Sequence, residues 1–234
     1  MPQQLILPFY VLADVSYSMT QKQSDSGETP LDAVNKMVRS LKDAMDDHPI
    51  LADKVRFSLV DFSDDARTQI PLCDLMNVDE SSIPTLQARG GTSFAAAFKF
   101  LRNQIDADVR QVKADGDKVH RPAVFFLTDG EPSDEEYQWK QAFAELTDSL
   151  FNARPNFIPF GVAEAKKAVL DQLVFPVGRT RSFVMREGAD PVAAIRAMAE
   201  ILIGSVIASA NSVSEEDGAG GFVLPDDDEN PDWL

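Results

Sequence analysis

Six apolar runs of strand length recur along this chain, at 5–13, 55–62, 66–73, 122–128, 156–162 and 181–186. Helical spacing of hydrophobic residues fills most of the gaps, at about 30–47, 93–112, 134–150, 165–174 and 190–210. Such alternation restricts the chain to βαβ units. Only Ser63, Asp64 and Asp65 part the second run from the third, too few for a crossover. Those two strands should therefore form an antiparallel hairpin at one sheet edge. The expected fold is α/β and doubly wound, with a mostly parallel central sheet, one antiparallel edge strand and helices on both faces. The punctuation agrees. Thr29-Pro30-Leu31-Asp32 sets a hydroxyl, a proline and an acid at a helix start, and Ser133-Asp134-Glu135-Glu136 does similar work after the fourth strand.

A chain of 234 residues fits one large domain, or one domain and a tail, and can bury enough surface to fold without a metal or a disulfide. Cys73 stands alone, so no intramolecular disulfide forms; a core position and a reducing compartment suit it. A net charge of −16 argues against nucleic acid or an anionic membrane as the main partner. The apolar start carries no basic region and no cleavage site, so it reads as a core strand. The apolar stretch Val192–Ala210 contains Arg196 and Glu200, and Ile195, Met198, Ala199, Leu202 and Val206 share one helical face. That is the pattern of a packed helix, not of a membrane span. The expectation is a soluble, cytoplasmic protein.

The first strand, Leu5 to Ala13, runs into Asp14-Val15-Ser16-Tyr17-Ser18. A buried strand ending in a carboxylate and two spaced hydroxyls gathers hard oxygen donors of the kind magnesium takes. The same residues equally suit a capped turn. Two further segments bear on that choice. Gly90-Gly91-Thr92-Ser93 delivers a hydroxyl at a helix start, and Val124-Phe125-Phe126-Leu127-Thr128-Asp129-Gly130 ends an apolar strand in a second carboxylate. Ligands of open α/β sheets bind beyond the carboxyl ends of strands, where strand order reverses. If the first and fourth runs are neighbours there, Asp14 and Asp129 emerge side by side and Thr92 can reach them.

With these three segments in order, the chain resembles a von Willebrand factor A domain with a metal-ion-dependent adhesion site, a Rossmann-like fold. The likeness covers about residues 5–210. It implies that Ser16, Ser18 and Thr92 supply hydroxyl oxygens to a divalent metal, with Asp14 and Asp129 coordinating directly or through water. Magnesium is the expected ion, with manganese or calcium as alternatives. A narrower resemblance, carried by Gly27–Val34, Arg121–Asp134 and the Phe62–Pro71 hairpin, is to the bacterial tellurium-resistance-associated members of the family.

Three hydroxyls and two carboxylates leave a dication an open position for water or for a partner's Asp or Glu. The open position points to a metal-dependent protein-binding module and not an enzyme, and the narrower resemblance implies a bacterial stress or tellurium-resistance-type system as its setting. A magnesium-dependent hydrolase needs a base within reach of its substrate. His120 precedes the fourth strand, His48 precedes the second and Cys73 ends the third, all expected far from Asp14. A phospho-signalling component is the other alternative, with Thr20, Ser24, Ser26 and Thr29 as modifiable loop hydroxyls and with kinase and phosphatase partners implied by the resemblance to the tellurium-resistance-type proteins. Lys22 and Arg89 flank the site as ordinary loop charges or as contacts for an anionic ligand. Glu131 and Asp134 are expected to serve the helix N-terminus after Asp129.

The domain is expected to span 1–210, followed by a flexible acidic tail over 211–234. That tail holds eight acidic side chains and no Lys or Arg, hence half of the net charge. Phe222, Val223, Leu224, Trp233 and Leu234 are unusual in a solubilising tail, so a docking peptide is a second reading. One of its carboxylates could also occupy the metal position, in cis or on another copy.

Overall fold

The computed structural model describes residues 3–22, 27–47, 54–212, 222–224 and 233. Ser24, Ser26, His48 and most of the tail lie outside the described residues. The strands are β1 (Leu5–Asp14), β2 (Val55–Phe62), β3 (Ala66–Cys73), β4 (Lys118–Val119), β5 (Ala123–Thr128), β6 (Asn156–Gly161) and β7 (Phe183–Val184). They form one sheet in the order β3-β2-β1-β5-β6-β7, with β4 beside the start of β1. Neighbours are parallel except β2 and β3, the expected hairpin. From β1 the chain steps outward to β2 and β3, then returns to β1's other side, so the strand order reverses between β1 and β5.

The helices are α1 (Pro30–Asp46), α2 (Phe94–Ala114), α3 (Glu136–Thr147), α4 (Lys167–Leu170) and α5 (Pro191–Ser212). Alternation along the strands sends residues to two cores. Leu7, Phe9, Val11 and Ala13 of β1 join Phe125 and Leu127 of β5 against α1 and α5. Tyr10 and Leu12 join Val124 and Phe126 against α2 and α3. Every residue of β1 after Leu5 is buried, which is why this strand reads as one continuous apolar run.

Thr29 caps α1 as its sequence implied. Its hydroxyl accepts the Asp32 N–H at 3.1 Å, and Asp32 returns a bond to the Thr29 N–H at 3.0 Å. The segment expected to be helical over 134–150 is shorter. Glu135 caps α3, and the helix stops where Asp148 turns extended and accepts the Leu150 N–H at 2.8 Å. Residues 165–174 close into α4 and a 3-10 turn over Asp171–Leu173. Strand β4 is too short for periodicity to reveal.

Helix α5 is long and apolar enough to cross a membrane by length and composition, yet it lies against α1 and β1. Ile195, Met198, Ala199, Leu202 and Val206 are all buried there. Cys73 is half-buried, not a full core residue, because β3 is the edge strand and its end stays partly open to solvent.

Candidate functional site

Strand pairing places the ends of β1 and β5 together, with Ala13 opposite Leu127. Asp14 and Asp129 follow from these positions, 0% and 3% exposed. Asp14 Oδ1 accepts the Ser16 N–H at 2.8 Å, closing the turn, while Oδ2 accepts the Thr128 hydroxyl at 2.7 Å. Ser18 Oγ donates to Asp129 Oδ1 at 2.8 Å and lies 2.9 Å from Ser16 Oγ. Since the single Ser18 proton goes to Asp129, Ser16 is the donor of the pair. A chain of hydroxyls thus links the β1 turn to the carboxylate beyond β5.

The capped-turn reading and the shared-site reading are both visible here. Asp14 does bind its own turn, but that engages one oxygen only. The second oxygen and both serine hydroxyls face the neighbouring strand end.

The loop that carries Thr92 is fastened on three sides, to the β1 turn, the β2–β3 hairpin and the loop after β5, but among the described residues the Thr92 hydroxyl makes no hydrogen bond to Asp14 or Asp129. Arg89 N–H donates to Val15 O at 2.7 Å, Ser93 N–H to Ser63 O at 2.7 Å, and Ser133 N–H to Thr92 O at 2.8 Å. Gly90 sits at φ +56°, and a Cβ there would come within 2.4 Å of Asp64 Oδ2. Only glycine fits that close approach. Asp64 Oδ1 in turn accepts the Gly91 N–H at 2.9 Å. Thr92 is 8% exposed on this loop.

Sequence reasoning missed several supporting residues. Thr128 is the most direct, and its signal was a hydroxyl inside an apolar strand immediately before Asp129. Asp134 serves a helix start, but that of α2: its carboxylate accepts from Ser93 Oγ and from Ala95 N–H, each at 2.8 Å. Glu131 pairs with Lys166 instead of capping a helix. Arg89 is tied into the hairpin. Its guanidinium contacts Asp61 Oδ1 at 2.5 Å and also reaches Ser63 and Asp65. Burial pushes the Asp61 carboxyl up, against the opposing pull of Arg89.

The electrostatics are one-sided. Burial, reinforced by the charge of Asp129, raises the Asp14 pKa to about 7. Burial also raises Asp129, opposed by its bond from Ser18. Among the described residues no Lys or Arg pairs with either carboxylate. Two buried carboxylates ringed by hydroxyls are costly as anions and need a cation to be comfortable as such. The donors are all hard oxygens, a set that fits magnesium, manganese or calcium. Among the described residues no three His, Cys, Asp or Glu side chains gather as a metal group, at this site or at any other. His120 donates its N–H to Ile6 O at the opposite end of β1, eight strand residues from Asp14, on the order of 25 Å. Cys73 pairs with Phe57 near the start of β2, again at the far edge.

Residues 9–131 match the sequence profile of the von Willebrand factor type A domain. Comparison with curated protein sequences gave no match. Similar solved structures include a von Willebrand factor type A protein from Catenulispora acidiphila, at 16% identity and a TM-score of 0.60 over 87% of this chain. Another is proximal thread matrix protein 1 from the mussel byssus, with a zinc-occupied MIDAS motif, at 17% identity and a TM-score of 0.59 over 88% of this chain. A third is the PilB minor pilin from Streptococcus sanguinis, at 15% identity and a TM-score of 0.62 over 88%. The chain spans 43%, 48% and 62% of those three structures, respectively.

Proposed function

Since the chain belongs to the von Willebrand factor type A domain family, we propose that it is a metal-dependent protein-binding module. Asp14, Ser16, Ser18, Thr92 and Asp129 would hold one divalent cation, magnesium first, with manganese or calcium as alternatives. Bound there, the ion supplies an electrophilic position for a carboxylate from a partner's Asp or Glu. The observation that carries this reading is the pair of buried carboxylates, joined by hydroxyls and lacking a cationic partner among the described residues.

The residues of this chain divide the work. Thr128 and the Ser16 N–H orient Asp14 so that its oxygens are fixed before any ion arrives. Ser18 does the same for Asp129. The hairpin residues Ser63 and Asp64, together with Arg89, hold the Thr92 loop at the site's rim. Two further parts of the proposal rest on sequence likeness: a bacterial stress or tellurium-resistance-type setting, from Gly27–Val34, Arg121–Asp134 and the Phe62–Pro71 hairpin, and a cytoplasmic location, consistent with the lone Cys73.

The test is a pull-down from host lysate with the full chain, with magnesium and with chelator, alongside Asp14→Ala. Partners should be enriched with magnesium and lost with chelator and in the variant. Equal enrichment in all three would make any bound ion structural and refute the adhesive reading.

A further inference from the structure

On the side of the sheet covered by α1 and α5, Phe9, Phe125, Phe160 and Phe183 form a row across β1, β5, β6 and β7. Successive ring centroids lie 6.5, 5.9 and 4.5 Å apart. Two residues of the C-terminal segment close this row. Phe222 lies over Phe9 and Phe125 at 6.4 and 6.3 Å. Trp233 meets Phe160 and Phe183 edge-on at 5.4 and 6.1 Å and is 4% exposed. Edge-on aromatic contacts of this kind add to the hydrophobic gain of burial.

The backbone is held at both points. Val223 N–H donates to Ser209 Oγ of α5 at 2.9 Å. Trp233 makes an antiparallel bridge to Met185, just past β7, and its carbonyl accepts Arg186 Nε at 2.8 Å. Strand β7 would otherwise end the sheet, so this contact is a short strand addition to an open edge.

The hold is specific but slight. Among the described residues the bridge to Met185 stands alone. The buried Trp233 Nε1 has no hydrogen-bond partner among the described residues. An aromatic anchor seated on an aromatic row, with a main-chain bridge at an open sheet edge, is how a peptide ligand is held.

Charge points the same way. Arg179, Arg181 and Arg186 flank β7 in a chain of net charge −16, and the Arg181 guanidinium stacks over the Phe183 ring at 4.9 Å. The sequence leading to Trp233 supplies Asp226, Asp227, Asp228, Glu229 and Asp232.

We propose that the aromatic row and its arginine-bearing edge form a second peptide-binding site, separate from the carboxylate cluster. Its ligand class is an acidic segment with a terminal aromatic anchor. The resident ligand is this chain's own C-terminal segment, bound in cis and exchangeable for the same segment supplied in trans. This gives the acidic tail a seat that requires no metal, and the proposal stands whether or not the metal reading does.

A fluorescently labelled peptide of residues 226–234 tests it by anisotropy against three full-length proteins. A tethered ligand competes at high effective concentration, so wild type should bind the peptide weakly. Trp233→Ala frees the seat and should bind at least tenfold more tightly, while a peptide with alanine for tryptophan should not bind it. The third protein keeps Trp233 but carries Asn for Asp226, Asp227, Asp228 and Asp232 and Gln for Glu229. It should bind the peptide several-fold more tightly than wild type, and added salt should erase the difference. If Trp233→Ala does not fold, the third protein decides alone. No gain over wild type in the folded variants overturns the proposal.

Discussion

Asp14→Asn should make the metal-free protein more stable, although it removes a residue the function depends on. Folding moves the Asp14 pKa from 3.8 to about 7, chiefly by burial and then through Asp129. The sign follows directly. Between those values the unfolded chain has released this proton and the folded chain retains it, so stability falls as pH rises through the window and levels off above it. A difference of about 3 units corresponds to ~4 kcal/mol of destabilisation at pH 8. Asparagine keeps an acceptor for the Ser16 N–H but disturbs the Thr128 bond, which offsets about 1 kcal/mol. The net expectation in chelator at pH 8 is a gain of about 3 kcal/mol, or roughly 6–12 °C in melting temperature for a chain of this size. The assay is urea unfolding of both proteins in chelator, at pH 8 and again at pH 4. The gain should disappear at pH 4, where folded Asp14 is already protonated. Magnesium at a thousandfold excess over Kd should reverse the order at pH 8, stabilising wild type by about 4.1 kcal/mol and leaving the variant unchanged. An Asp14→Asn protein no more stable than wild type in chelator at pH 8 would refute the reasoning.

Three further outcomes follow from the same geometry. Ionised Asp14 is the metal-binding form, so magnesium affinity should weaken about tenfold per pH unit below 7 and be flat above 8, with proton release visible in calorimetry across buffers of different ionisation enthalpy. Thr128→Val removes the hydroxyl that orients Asp14 and should weaken magnesium about tenfold or more without altering the fold by circular dichroism. Arg89→Ala strips the charged partner from the buried Asp61, leaving it the Gln69 amide, and loosens the Thr92 loop; it should cost about 3 kcal/mol in urea unfolding and also lower magnesium affinity, with Arg89→Lys recovering part of both.

The strands, the hairpin and the helix faces could be read from the sequence because burial leaves a periodic record. β1 is apolar throughout because helices cover both of its faces, and α5 keeps one stripe against α1. The reading failed where a few residues or a distant loop decide the outcome. β4 has two residues and no period. Asp134 stands before α3 in sequence yet caps α2, because the loops after β5 and before α2 meet at the sheet's edge. The site followed the same division. Asp14, Ser16, Ser18 and Asp129 come together because their strands are adjacent, which the switch-point rule anticipates. Asp64 and Arg89 act across loops, where no local pattern gives their partners, while Thr128 acts from β5 and was marked only as a hydroxyl ending an apolar strand. The seating of Phe222 and Trp233 was equally hidden, since the acidic composition around them matches a solvated chain and only the aromatic row beneath distinguishes it.

The central claim concerns five oxygen-bearing residues, four at the ends of β1 and β5 and Thr92 on the loop before α2. Calorimetric titration of magnesium into the full-length wild type and Asp14→Ala tests it most directly. One ion should bind per wild-type chain, and that binding should vanish in Asp14→Ala. Absence of binding at millimolar magnesium contradicts the account. So does binding that survives Asp14→Ala unchanged, which would place the ion elsewhere, for instance among the acidic residues of the C-terminal segment.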